Sequence, residues 1–241
     1  MARANRHFLP GYVWHITHRC HQREFLFKFS KDRRRWRYWL YEARKRYGLS
    51  VLNYTVTSNH IHLLVRDTGK DAIPKSMQLI AGRTAQEYNQ RKSRKGAFWE
   101  DRYHATAVNT ESHFFRCQRY IDLNMVRAGV VRHPEHWLEC GYNEIQNPPQ
   151  RYRVIDINAL TLIGGFATFS SYQEAHRICV QNSLSKQSGL DRDNIWTQSI
   201  AVGTEEFVKE LITKLGPKAR GRSIFSDVPG YQIKEAAPAY R

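Results

Sequence analysis

Two histidines stand two residues apart in the stretch NHIHLLV (59–65), inside an otherwise apolar run. Side chains alternate along an extended strand, so His60 and His62 emerge on one face, roughly 6–7 Å apart at their Cα atoms. Ile61, Leu63 and Val65 turn to the other face and supply a core. Three kinds of chemistry fit such a pair. The rings could be ordinary polar groups on a wet surface. They could be neutral imidazoles that share one metal ion with a third donor from elsewhere, or imidazolium groups in contact with phosphate. Spacing alone leaves all three open.

A second pair is Tyr120 and Asn124, one helical turn apart in YIDLNMVRAG (120–129). At about 100° per residue, Phe114, Ile121, Met125 and Ala128 fall in one sector of this helix. Tyr120 and Asn124 share the neighbouring sector with His113, Arg116, Cys117 and Arg127. A polar, reactive face beside a core face is what a helix at the edge of a cleft presents. A phenol ionises near pH ~10, so its oxygen attacks at neutral pH only where a cation or a base assists. A metal held by His60 and His62 would polarise a phosphoryl oxygen and assist Tyr120, with Asn124 adding a neutral oxygen.

The elements that must position these groups are legible. YVWHITHRC (12–20) alternates as a strand, with Val13, His15 and Thr17 on one side and Trp14, Ile16 and His18 on the other. A basic helix runs from Ser30, a candidate N-cap, to Gly48, a candidate C′ residue. Residues 50–56 and 60–66 form a hairpin around Thr-Ser-Asn. A helix spans 72–91, a basic loop 90–96, and 97–109 leads into a further strand. A helix over 110–129 starts at Thr110 with Glu111 at its positive end and stops at Gly129. The prolines of NEIQNPPQRYR (143–153) mark a boundary between a domain over 1–145 and an extension over 146–241. That extension reads as mainly helical: Ser171-x-x-Glu174 resembles a capping box, and Thr204 caps an amphipathic segment ending at Gly216.

The 241 residues carry 38 Lys and Arg against 22 Asp and Glu. The excess is N-terminal, since residues 1–50 hold 13 basic and 3 acidic side chains. Such a surface attracts phosphate polymers, which makes nucleic acid the expected partner. No apolar run reaches the ~18 residues of a membrane span, and the N-terminus lacks a signal-peptide core, so a cytoplasmic location and no membrane partner are expected. Cys20, Cys117, Cys140 and Cys179 are far apart, which predicts free thiols. Arg19 and Arg102 are candidate phosphate contacts, and Trp99 could stack on a base or belong to the core. His15, His18, His21, His104 and His113 read as surface or hydrogen-bonded histidines.

Several segments, in this order, resemble one family. NHIHLLV (59–65) is similar to the His-hydrophobic-His motif of HUH nucleases, and FWEDRY (98–103) resembles the W-x-x-R-Y that often follows it. YIDLNMVRAGVV (120–131) resembles the tyrosine helix of REP-associated tyrosine transposases, and YVWHITHRC their first strand. The match covers about residues 10–132. It implies an α+β fold, a ferredoxin-like antiparallel sheet with packed helices, ahead of the helical extension. It implies Tyr120 as nucleophile, His60, His62 and Asn124 as ligands of Mg²⁺ or Mn²⁺, and Arg127 beside Arg19, Arg102 and Trp99 as DNA contacts. The substrate would be single-stranded or hairpin DNA of a bacterial, nucleoid-associated enzyme, cut through a 5′-phosphotyrosine link by a monomer or homodimer. Two departures stand out: Thr57-Ser58 replaces Met-Pro, and Met125 replaces a proline, so the tyrosine helix is expected to run on. A non-catalytic protein that grips hairpin DNA for regulation and a zinc-dependent hydrolase are the competing readings.

Overall fold

Residues 50–66 form the hairpin that their β-branched content and polar turn predict, β2 (Ser50–Val56) against β3 (His60–Arg66), with Thr55 opposite His62. On the other side of β3 lies β1 (Val13–Arg19), antiparallel, placing Thr17 opposite His62 and Arg19 opposite His60. β4 (His104–Val108) pairs with β1, Thr17 facing His104. The computed structural model describes residues 8–110, 112–186, 193–219, 221–227 and 230–235. Glu111, expected at the positive end of a helix, lies outside the described residues.

Two helices join these strands, α1 (Ser30–Tyr47) between β1 and β2 and α2 (Ala72–Arg91) between β3 and β4. The resulting order β2-β3-β1-β4 is the ferredoxin-like arrangement. α1 and α2 pack together, and Trp36 of α1 meets Tyr54 on one face of the sheet. The opposite face is covered by α3 (Ser112–Asp122), where the Thr55 hydroxyl donates to the Ile121 carbonyl. With both faces covered, every residue of β2 is buried, including Asn53 and Thr55. The Asn53 side-chain amide and the Thr55 hydroxyl both donate to α3, and Asn53 Oδ1 accepts from the Tyr54 amide, as buried polar groups require.

Some boundaries differ from expectation. Phe29 occupies the N-cap position of α1 and Ser30 is its first residue, while Gly48 closes the helix in the left-handed region, as its position predicts. The tyrosine helix does not run on. It breaks at Leu123, and a short α4 (Asn124–Arg127) follows. Leu123 is wholly buried with Cys140, Tyr142 and Val180 in a separate apolar cluster, so packing pulls the chain aside at that residue.

Beyond residue 140 the chain is mainly helical, with α5 (Gly141–Gln146), α6 (Ile157–Ile163), α7 (Phe169–Lys186), α8 (Ile195–Gln198) and α9 (Glu205–Leu215). Thr168, not Ser171, caps α7, its hydroxyl accepting the Ser171 amide at 3.1 Å. Thr204 caps α9 as expected. Three strands that the helical reading did not include extend the sheet. β5 (Ala201–Gly203) runs parallel to β4, followed by β7 (Gly230–Glu235) and β6 (Arg222–Asp227), giving the order β2-β3-β1-β4-β5-β7-β6. One apolar cluster runs from Val13 of β1 to Ile233 of β7. The described cysteines are free thiols, and among the described residues no helix is long and apolar enough to cross a membrane.

Candidate active site on the covered face of the sheet

Strand alternation puts His15, Thr17 and Arg19 of β1, His60 and His62 of β3, and His104 and Thr106 of β4 on one face, beneath α3. At its centre His62 is 2% exposed. Its Nε2 lies 3.1 Å from His60 Nε2 and 2.9 Å from Asn124 Nδ2, and its Nδ1 lies 2.9 Å from His15 Nε2. The Tyr120 ring stands perpendicular to the His62 ring, centroids 5.6 Å apart, and nearly perpendicular to His15 at 6.1 Å. The helix break at Leu123 separates the Tyr120 turn from the Asn124 turn while keeping both over the histidines. Arg127, on α4, donates to the Tyr120 carbonyl at 2.8 Å and holds its guanidinium 4.3 Å from the Tyr120 ring centroid.

The hydrogen positions in this chain of rings follow from the acceptors at its ends. The Trp196 carbonyl can only accept, so His15 Nδ1, 2.8 Å away, carries a proton and donates. Burial pushes His15 down to about 3, against a weaker raising effect of that carbonyl, so at neutral pH its Nε2 is a lone pair. His62 Nδ1–H must then donate to His15. Burial first, then the charges of His60, His15, Arg127 and Arg19, hold His62 well below the usual histidine range. Its Nε2 is therefore a lone pair as well. At His60, Nδ1 lies 2.7 Å from Asn59 Oδ1, an acceptor oriented by the Asn59 amide donating to the Arg23 carbonyl at 3.2 Å. In the neutral ring that leaves His60 Nε2 as a lone pair facing that of His62.

Two lone pairs 3.1 Å apart repel unless a proton or a cation sits between them. Adjacent ligands of a small octahedral dication with bonds of ~2.1 Å are themselves ~3 Å apart, so the pair has suitable spacing. A half-turn of the Asn124 amide exchanges its nitrogen and oxygen, which brings Oδ1 to the same point. Among the described residues no three His, Cys, Asp or Glu side chains gather to hold a metal. The donor set here is two imidazoles and an amide.

Of the residues singled out in the sequence, the fold gathers Tyr120, His60, His62, Asn124, Arg127 and Arg19. Trp99 lies apart from that cluster. The Trp99 ring stacks on His18 at 3.9 Å, on the α1–α2 side of the sheet, and its Nε1 donates to the Ala81 carbonyl. Arg102 is exposed on the loop before β4. Sequence reasoning missed His15 and Trp196. For His15 a signal existed, since β1 alternation puts it on the face that pairs beside His62. For Trp196 there was none: α8 is four residues long, and its ring rests on Tyr120 at 6.3 Å only through the tertiary fold. The same segment also receives His104 Nε2 and the Thr106 hydroxyl at the Ser199 carbonyl.

A covered antiparallel sheet bearing a paired-histidine strand beside a tyrosine helix is the arrangement that the resemblance to HUH nucleases implied. Residues 10–124 match the family model of IS200-like transposases. That match supports transposase-type DNA processing as the class of activity. The fold is similar to the structure of a REP-associated tyrosine transposase bound to a REP hairpin, with 15% identity, a TM-score of 0.51, and coverage of 65% of this chain and 94% of that one. A transposase-type protein from Deinococcus radiodurans R1 is 18% identical, with a TM-score of 0.35, over 48% of this chain and 93% of that one. No curated protein matches the chain significantly.

Proposed function

We propose that the chain is a metal-dependent endonuclease and strand transferase for single-stranded, hairpin-forming DNA, with Tyr120 as nucleophile. The observation that carries the reading is the convergence of His60 Nε2 and the Asn124 amide on His62 Nε2, at 3.1 and 2.9 Å, beside the Tyr120 ring. His60, His62 and Asn124 would hold a divalent ion, Mg²⁺ or Mn²⁺. Such an ion, when bound, polarises a phosphoryl oxygen and offsets charge on the pentavalent centre.

Tyr120 Oη forms a bond to the phosphorus while the bond to the departing 3′ oxygen breaks, leaving a 5′-phosphotyrosine and a free 3′-OH. Attack of a 3′-OH on that link reverses the step and joins strands. Arg127, over the Tyr120 ring, and Arg19, opposite His60, would contact phosphate oxygens. Burial of Tyr120, 8% exposed, keeps bulk water from competing with a 3′-OH for the covalent link. The REP hairpin in the similar transposase supports a hairpin substrate, and the basic N-terminal half supports phosphate affinity.

The test offers labelled hairpin DNA with Mn²⁺ or Mg²⁺ to wild type and to Tyr120→Phe. Wild type gives a covalent protein–DNA band on a denaturing gel and Tyr120→Phe gives none. Equal cleavage by both, or hairpin binding with no adduct from either, would replace this reading by a water-using hydrolase or by a non-catalytic hairpin-binding protein.

A further inference from the structure

The segment between β1 and α1 runs alongside the turn that carries His60. The Cys20 amide donates to the Asn59 carbonyl at 2.8 Å, the Phe27 amide to the Ser58 carbonyl at 2.9 Å, and the Asn59 side chain to the Arg23 carbonyl at 3.2 Å. Gln22 and Arg23 both take left-handed backbone angles, with φ of 49° and 59°, although neither is glycine. That conformation is uncommon for such residues and persists where the surroundings enforce it, which here means the bonds to residues 58 and 59.

The consequence is a pair of outward-facing rings. Leu26 and Phe27 are buried, while Phe25 is 66% and Phe29 50% exposed. Cations sit beside Phe29. Lys28 Nζ lies 5.9 Å and Lys92 Nζ 5.3 Å from the Phe29 centroid, and Arg94, at the end of the neighbouring α2 loop, pairs with Glu24 at 3.5 Å. Exposed aromatic faces among basic side chains match the two parts of an unpaired nucleotide, a flat base and a phosphate. The position matches too, because Asn59 touches this segment with one end of its amide and His60 Nδ1 with the other.

We propose that Phe25 and Phe29, with Arg23, Lys28 and Lys92, form a ledge on which unpaired bases of the DNA strand next to the scissile phosphate stack. The proposal rests on the single-strand nuclease reading above and adds where the strand enters. Asn59 sets the spacing between ledge and His60, so the bases seated there fix which phosphate reaches Tyr120. A flat base gains from stacking in a sequence-tolerant way, so the ledge holds the flank without choosing the hairpin.

The experiment compares two oligonucleotides, a blunt hairpin and the same hairpin with a single-stranded flank containing 2-aminopurine. Proteins are wild type, the double variant Phe25→Ala/Phe29→Ala, and Phe25→Trp/Phe29→Trp. Wild type should bind the flanked hairpin more tightly and quench 2-aminopurine. The alanine variant should lose about ten-fold or more in affinity for the flanked hairpin only, with no quenching, and the tryptophan variant should restore both. Both rings are largely exposed, so the thermal unfolding midpoint should stay unchanged and loss of folding is excluded directly. Unchanged quenching in the alanine variant, in protein that still forms the Tyr120 adduct, would overturn the ledge and leave the nuclease standing. Equal competition by polyglutamate and by mixed-sequence single-stranded DNA would reduce the surface to charge alone and also overturn it. Failure of wild type to bind either hairpin would remove both proposals.

Discussion

His15 Nε2 lies 2.9 Å from His62 Nδ1, the two rings parallel within 7°, and His15 in turn donates to the Trp196 carbonyl. The relay fixes the His62 proton on Nδ1 and so turns the Nε2 lone pair towards His60 and Asn124. Partners of this kind typically account for about 10–100-fold in the affinity of a metal for the histidine they orient. His15→Phe keeps a ring of similar size and removes both nitrogens. Mn²⁺ affinity, measured by calorimetry on the DNA-free protein, should fall by about that factor. The Trp196 carbonyl would lose its His15 donor, costing about 1–3 kcal/mol in urea denaturation. An unchanged Mn²⁺ affinity alongside that loss of stability would make His15 a packing residue only.

The same two rings set a pH dependence of stability. In the folded chain burial lowers His15 to about 3 and holds His62 well below its ordinary value, whereas in the unfolded chain both take protons near pH ~6.5. As pH falls below the unfolded value, the unfolded state binds more protons, so the contribution is whole above about 6.5 and is lost progressively towards pH ~3. Asp32, Glu139 and Glu144, raised by burial, act in the opposite sense. The comparison of wild type with His15→Phe isolates the histidine share. Between pH ~7 and pH ~5 the wild-type urea midpoint should fall more than that of the variant. Parallel curves would contradict the neutral state of the buried pair.

Much of this site was legible because its parts are local patterns. Alternation separated His60 and His62 from Ile61, Leu63 and Val65, helical spacing put Tyr120 and Asn124 together, and Gly48 and Thr204 ended and began helices as their chemistry predicts. What was not legible depends on distance along the chain. His15 meets a carbonyl 181 residues away, and β5 is three residues long, a strand only because β4 and β7 flank it. Trp99 shows the limit of residue type as a signal. An indole suits a base as well as a core, and here it stacks on His18.

A buried polar pair ties the later part of the chain to the tyrosine helix. Asp122, between Tyr120 and Asn124 in sequence, accepts from Asn53 Nδ2 at 2.9 Å and pairs with His176 Nε2 of α7 at 2.8 Å, all three buried. Removing a hydrogen-bond donor from a buried carboxylate is costly because its charge is left under-satisfied, typically by roughly 1.5–3 kcal/mol. His176→Leu should destabilise the protein on that scale in chemical denaturation. A loss below about 1 kcal/mol, the worth of an exposed pair, would show that solvent reaches Asp122.

Asn124 separates a coordinating role from a merely hydrogen-bonding one. Its amide lies 2.9 Å from His62 Nε2 and offers a neutral oxygen after a half-turn. Asn124→Asp keeps the shape and adds a charged oxygen, the donor that hard dications favour. Asn124→Leu removes every donor. If the amide is a ligand, Mn²⁺ affinity should rise in Asn124→Asp by about ten-fold and fall in Asn124→Leu by a similar factor, a change of about 1.4 kcal/mol each way. A carboxylate beside His62 Nε2 also favours the protonated ring, so the gain should shrink as the pH is lowered, where proton and metal compete for the same lone pair. If Asn124 only steadies His62 by hydrogen bonding, both substitutions should weaken Mn²⁺ binding together, and the site would be the two imidazoles with solvent.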